Sequence, residues 1–139
     1  MKFLMGQEKD FWNFVDSITK EDDVAIISHN DLDGLASAFF LEKILDFKRI
    51  KPKFVELINY GELENCFSKC KKEGIKKILM SDIYADGRDD INFLIDAFSD
   101  FDLFVIDHHP INSKIKNIKN IIKAETPFCA ALIIYGLAK

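Results

Sequence analysis

A doubly wound, mostly parallel α/β sheet of five strands, with helices on both faces, is the fold this sequence predicts. Three observations carry that expectation. Short apolar runs alternate with segments of helical periodicity along the chain, the pattern of successive βαβ units. The first run, Val24 to Ile27, is unbroken rather than alternating, as in a strand covered on both faces. Three of the apolar runs end in acidic and imidazole side chains, which places those side chains together at one edge of such a sheet.

In chain order, Phe11, Trp12, Phe14, Val15 and Ile18 fall at helical spacing within residues 7–19, which predicts an amphipathic opening helix with Trp12 as a packing aromatic. Residues 22–29 form the first strand. A helix over about 34–46 follows, with Asp33 as its cap and Gly34 allowing close backbone approach. The second strand is 53–58, and Asn59, Tyr60 and Gly61 make its terminal loop. A helix over 62–73 ends at Gly74. Residues 75–83 form the third strand. After the loop YADGRDD, Asp89 or Asp90 caps a helix reaching about Phe98. Residues 102–107 form the fourth strand and 120–123 a short fifth. Thr126 caps, and Pro127 opens, a last helix through FCAALIIYGLA.

With 139 residues, 48% of them hydrophobic and thirteen Phe, the chain reads as a single globular domain, 1–139. No apolar run approaches the roughly 20 residues that cross a bilayer, and the N-terminal stretch turns polar too soon for a signal peptide, so the expectation is a cytoplasmic protein with no membrane partner. Cys66, Cys70 and Cys129 are odd in number and fit no CxxC spacing, which favours reduced, buried thiols over a disulfide framework. A net charge of −4 argues against a surface that coats nucleic acid broadly. It leaves room for a short anionic substrate at a metal centre, where the ions supply the positive field.

The chemistry lies at the strand ends. ISHNDLDGLASAFF brings His29, Asp31 and Asp33 at every second position, ILMSDIYADG brings Asp82, and LFVIDHHP brings Asp107, His108 and His109. All three histidines of the chain are among them. Residues two apart in an extended segment point the same way, so His29, Asp31 and Asp33 are expected to face one point. Each cluster alone has an ordinary explanation as a cap, a turn or a chance string. Their joint placement at three strand ends outweighs those readings and predicts a metal site. Oxygen-rich ligands with a minority of imidazoles suit Mn²⁺ or Mg²⁺ better than a thiolate zinc site, and a cation relieves the repulsion among the carboxylates.

With HNDLDGLASA, SDIYAD and IDHHP in this order, the chain resembles the DHH phosphoesterase family, which includes RecJ-like exonucleases, oligonucleotide phosphodiesterases and manganese-dependent pyrophosphatases. The resemblance covers about residues 22–139, most of the family's first domain. It implies that His29, Asp31, Asp33, Asp82 and His108 are metal ligands for two Mn²⁺ ions, with Asp82 bridging them. It further implies that His109 contacts the scissile phosphate and that Asp107 orients a neighbouring histidine. The implied reaction is in-line attack of water at phosphorus, with His109, or the ions alone, neutralising charge that develops on the phosphate.

The family's fourth-motif aspartate has no counterpart in FCAALIIYGLAK, and Glu125 is the nearest substitute. The family's C-terminal substrate-binding domain is also without a counterpart in this sequence, so a partner chain or domain supplying it is expected. The leading expectation is a Mn²⁺-dependent phosphodiesterase or exonuclease acting on single-stranded or short oligonucleotides. The alternatives are a hydrolase of pyrophosphate or cyclic dinucleotides, and a non-catalytic or split-protein module of a replication or repair complex. Two lysine clusters, 48–53 and 69–77, read mainly as solvated faces, and Tyr60 as a packing residue before a base-stacking one.

Overall fold

Strand-forming runs and helical stripes assemble as the sequence suggests, with one more strand than expected. The computed structural model describes residues 1–83, 90–125 and 128–139. The elements in chain order are β1 (Phe3–Met5), α1 (Glu8–Ser17), β2 (Val24–His29), α2 (Leu32–Phe47), β3 (Phe54–Ile58) and α3 (Leu63–Lys72). They continue with β4 (Lys77–Ser81), α4 (Asp90–Asp100), β5 (Asp102–Asp107), β6 (Ile121–Ala124) and α5 (Ala130–Leu137).

The sheet has six strands in the order β1-β6-β5-β4-β2-β3. Five of them, β3 to β6 by way of β2, are parallel. The sixth, β1, pairs antiparallel with β6 and corrects the five-stranded expectation. Its three residues show no strand period and are recruited by the open edge of β6, a tertiary effect that local sequence does not announce.

Alternation along each strand sorts the core into two layers. Ala25, Ile27, Ile78, Met80, Leu103 and Val105 meet α3 and α4 through Phe67, Cys70 and Leu94. Val24, Ile26, Leu79, Phe104 and Ile106 meet α1, α2 and α5 through Phe11, Leu41 and Ile134. Phe104 takes Phe11 edge-on at 5.5 Å, and Trp12 packs against this layer as expected. Cys66 and Cys70 are buried, unbridged thiols of the first layer.

Gly74 has φ +71°, and its N–H bonds the Lys71 carbonyl at 3.2 Å, so it ends α3 as a left-handed cap. Two capping expectations change. The cap of α2 is Asp31, whose Oδ1 accepts the Gly34 N–H at 2.8 Å, because the helix begins two residues before the expected start. Phe128 and Cys129 precede α5 rather than opening it. Asp89, Thr126 and Pro127, to which capping and opening roles were assigned, lie outside the described residues, as does the loop 84–89. Asp90 is the first residue of α4.

Several lysines of the two clusters are engaged in ion pairs, and Lys48 and Lys77 also bond the Val15 and Ser17 carbonyls. Lys48 pairs with Asp16, Lys53 with Asp23 and Glu73, Lys69 with Glu56, and Lys71 with Asp100.

After β3 is laid on one side of β2, the chain crosses to place β4 on the other. That reversal opens a crevice beyond the carboxyl ends of β2 and β4, where ligands of open parallel sheets bind.

Candidate metal centre

The residues at this crevice are held by backbone devices as much as by their own side chains. Ser28, the last inward residue before His29, is fully buried and ties three elements together. Its hydroxyl donates to the Gly34 carbonyl at 2.8 Å or the Ser81 carbonyl at 3.1 Å, and lies 3.0 Å from the Ser81 hydroxyl. This fixes β2 against β4 and against the first turn of α2 directly beneath the charged residues. Sequence reading passed over the serine pair. The signal was two polar residues at equivalent ends of otherwise apolar strands.

Gly34 permits the approach of α2 to β2. A Cβ there would lie 1.9 Å from the His29 carbonyl oxygen, so the close neighbour is the chain's own backbone. The helix start is thereby pressed onto His29, which brings Asp31 back over the strand end. His29 Nδ1 and Asp31 Oδ2 are 2.8 Å apart. The exposed ring of Tyr60 covers His29 with centroids 4.7 Å apart, so Tyr60 takes the packing role against a site residue.

Asp82 leaves β4 in the left-handed region at φ +56°, which is costly for a residue with a Cβ. Its N–H bonds the Ile106 carbonyl at 3.0 Å, which holds the turn and aims the carboxylate across the crevice. The side chain is 2% exposed. Oδ1 lies 3.1 Å from His108 Nε2, whereas Oδ2 is sealed from solvent and has no hydrogen-bond partner among the described residues. Burial, then the charges of Asp33 and Asp31, push its carboxyl up to about 9. Burial also works to raise Asp31, but the Gly34 N–H, Asp82 and His29 outweigh it and bring Asp31 below the ordinary carboxylate range.

The third motif forms a separate arm. His109 Nδ1 is 2.6 Å from Asp107 Oδ1, and Asp107 Oδ2 accepts the ammonium of Lys123 at 2.7 Å. Asp107 is fully buried. Desolvation alone would raise its carboxyl, yet the His109 and Lys123 contacts override that and lower it. Lys123 is the buried neighbour of this arm that sequence reading missed, because a lysine on a short strand looks like a solvated residue.

Two groups of side chains can each converge on a cation: His29, Asp31 and Asp82, and Asp82, Asp107, His108 and His109, with one ligand atom per residue and all atoms within 4.8 Å. Asp82 belongs to both. Asp33 belongs to neither. Its carboxylate accepts the Ala130 N–H at 3.0 Å and the Ala131 N–H at 2.8 Å, with His108 Nε2 3.5 Å from Oδ2. Asp33 thus caps α5 across the fold rather than α2, since Cys129 supplies no side-chain cap there. Glu125 is exposed and in neither group. The donor set suits a divalent cation. It is oxygen-rich, it crowds carboxylates that repel one another, and it leaves one buried carboxylate oxygen with no donor among the described residues.

Asp33→Ala is expected to lower stability by about 1–2 kcal/mol without added metal, because two N–H groups at the start of α5 lose their acceptor. Asp33→Asn, which keeps one carbonyl acceptor, should cost about half as much. Thermal unfolding in a chelating buffer measures both.

Comparisons with known proteins agree with this architecture. CDC45 from Entamoeba histolytica superposes with a TM-score of 0.68 at 15% identity, over 94% of this chain and 29% of that one. RecJ from Thermus thermophilus, solved in complex with Mn²⁺, superposes with a TM-score of 0.59 at 14% identity, over 94% of this chain and 20% of that one. At these identities the likeness is one of fold, and this chain spans less than a third of either structure's length. No curated protein sequence matches it. Residues 23–139, from just before β2 through all of the strand-end motifs, match the DHH family, N-terminal domain, and the chain belongs to the DHH family.

Proposed function

We propose that this chain is the metal-binding half of a phosphoesterase that hydrolyses phosphodiester bonds of single-stranded or short oligonucleotides. The observation that carries the reading is Asp82, a buried carboxylate in a costly backbone conformation that belongs to both candidate cation groups. A device of that cost at a strand-end crevice fits a residue shared by two ions. His29 and Asp31 would hold one cation with Asp82, and His108 would hold the second with Asp82. Asp33, beside His108, joins them where its contact to α5 permits.

Divalent cations bound there supply Lewis acidity toward a phosphoryl oxygen and make a water more acidic. Everything else is done by the chain. Asp107 keeps Nδ1 of His109 engaged, which fixes the orientation of the ring toward substrate. His109 accepts or donates a proton at the phosphate oxygen where charge develops. The apolar layers beneath, sealed by Ser28 and Ser81, keep the buried Asp82 carboxylate in low dielectric, where it binds a cation more strongly than in water.

Mn²⁺ is the assigned ion, supported by the donor set and by the Mn²⁺ complex of the RecJ neighbour, with Mg²⁺ as the alternative. A C-terminal substrate-gripping domain or partner chain belongs to the proposal, since both solved neighbours are much longer than this chain. The described residues contain no helix long and apolar enough to cross a membrane, and a cytoplasmic setting is part of the same reading.

One observation favours a second reading, a DHH module that binds without hydrolysing. Each oxygen of Asp33 accepts an N–H of α5, which draws this carboxylate toward that helix and out of both candidate cation groups.

Calorimetric titration of Mn²⁺ into the metal-free protein, followed by turnover assays, separates the readings. Two ions and release of mononucleotides from a labelled oligonucleotide support the proposal. Two ions with turnover of pyrophosphate or cyclic dinucleotides alone redirect it to a small-molecule hydrolase. One ion, with no turnover even after a C-terminal domain is supplied, selects the binding module.

A further inference from the structure

We propose that Lys123 is a positioning residue for His109, acting through Asp107. The register of β5 and β6 sets Lys123 directly beside Asp107 in the sheet. Its side chain is nearly sealed from solvent, 1% exposed, and lysine is almost never buried unless its ammonium is paired. The pairing is extensive. Lys123 Nζ donates to Asp107 Oδ2 at 2.7 Å, to the His109 carbonyl at 3.1 Å and to the Pro110 carbonyl at 3.4 Å. An ammonium has three protons, and among the described residues these contacts offer three acceptors.

His109 is therefore held from two sides. Its ring is held by Asp107, whose other oxygen lies 2.6 Å from Nδ1, and its backbone by the same ammonium that holds Asp107. With Asp107 Oδ1 at Nδ1 and Lys123 on the opposite carboxylate oxygen, the imidazole is fixed in one orientation, and the contact favours a proton on Nδ1. The rest of β6 is Ile121, Ile122 and Ala124, so an apolar residue at position 123 would suit the core. Buried ion pairs commonly add little stability over apolar replacements. A buried lysine here is better explained by what it orders than by what it stabilises. The inference deepens the proposed function by adding a residue to the phosphate-facing arm, but the hold on His109 exists whether or not the chain turns over a substrate.

The test is a ¹⁵N-labelled full chain without divalent cations, at a pH where the imidazole signals show His109 neutral. Long-range ¹H–¹⁵N correlations report the tautomer of each imidazole. The wild type should show His109 as a single Nδ1–H tautomer. Lys123→Met should retain a native-like amide spectrum while His109 loses that single state and gains an Nε2–H population. Lys123→Arg, which keeps charge and donors, should restore the Nδ1–H form at least in part. A folded Lys123→Met protein whose His109 keeps one tautomer overturns the proposal. Should Lys123→Met not fold, the wild type decides. A slowly exchanging Lys123 ammonium with through-hydrogen-bond coupling to the Asp107 carboxyl supports the proposal, and absence of that signal refutes it. Failure to hydrolyse oligonucleotides alters none of these readouts, so the two readings fail separately.

Discussion

Asp82→Asn should abolish high-affinity binding of divalent cations and, without metal, make the protein more stable than the wild type at alkaline pH. Both effects have one cause. In the unfolded chain Asp82 titrates near 3.8, whereas in the fold its burial and the neighbouring Asp33 and Asp31 push it up to about 9. The folded protein thus holds a proton that the unfolded chain releases. Stability linked to this group is fully present below about pH 4 and is lost progressively as pH rises toward 9. Asp31 and Asp107 are shifted downward, so their linkage operates on the acid side of 3.8 and leaves the window from pH 5 to 9 to Asp82 among the shifted carboxylates. The asparagine variant has no charge to bury, and its unfolding temperature at pH 8.5 should exceed that of the wild type. The gain should be on the order of 1–3 kcal/mol, the scale of one buried polar group without a partner. Added Mn²⁺ should reverse the ranking, because a cation replaces the proton on Asp82 and stabilises only the wild type. Thermal unfolding of both proteins at pH 5.5, 7 and 8.5, with chelator or with Mn²⁺, reads all of this. Retention of wild-type Mn²⁺ affinity by Asp82→Asn would remove Asp82 from the centre of the site.

How far the sequence disclosed this arrangement differs from residue to residue. The strands β2, β4 and β5 were legible because their apolar runs are unbroken and end abruptly in charge, and a parallel sheet sends all such ends to one edge. The strand β1 was not legible, since three residues carry no period and the edge that recruits them lies about 120 positions away in sequence. His29, Asp31 and Asp82 converge in one group and Asp82, Asp107, His108 and His109 in another, whereas Asp33, expected to face the same point as His29 and Asp31 and to cap α2, lies in neither group. Its actual partner is α5, 97 residues further on, and no local pattern reports a long-range cap. Lys123 escaped for a similar reason. A lysine is read as a surface residue unless the acceptors that bury it are known, and those acceptors belong to another strand.

Gly34→Ala is expected to destabilise the protein by about 3 kcal/mol or more and to weaken cation binding at the same time. Helix propensity argues the opposite, since alanine within α2 should gain up to about 1 kcal/mol over glycine. The local environment decides the sign. A Cβ at Gly34 would sit 1.9 Å from the His29 oxygen, 2.6 Å from its carbonyl carbon and 2.8 Å from its nitrogen. These are strand backbone atoms, so relief requires α2 to move off β2, a form of overpacking that costs about 1–3 kcal/mol where only side chains must yield and more where backbone must. The same movement breaks the bond from Ser28 to the Gly34 carbonyl and the capping bond from the Gly34 N–H to Asp31. His29 and Asp31 then lose their common orientation, which links the stability defect to a loss of Mn²⁺ affinity. Gly136, in α5, supplies the control. A Cβ there meets only the flexible end of Met1, at 3.2 Å, so Gly136→Ala should be neutral or gain about 0.5–1 kcal/mol from propensity. Denaturant unfolding of both variants, paired with Mn²⁺ calorimetry, sets the two glycines against each other. Equal stability of Gly34→Ala and wild type would mean that α2 is not pressed onto β2 and that another contact positions the first motif.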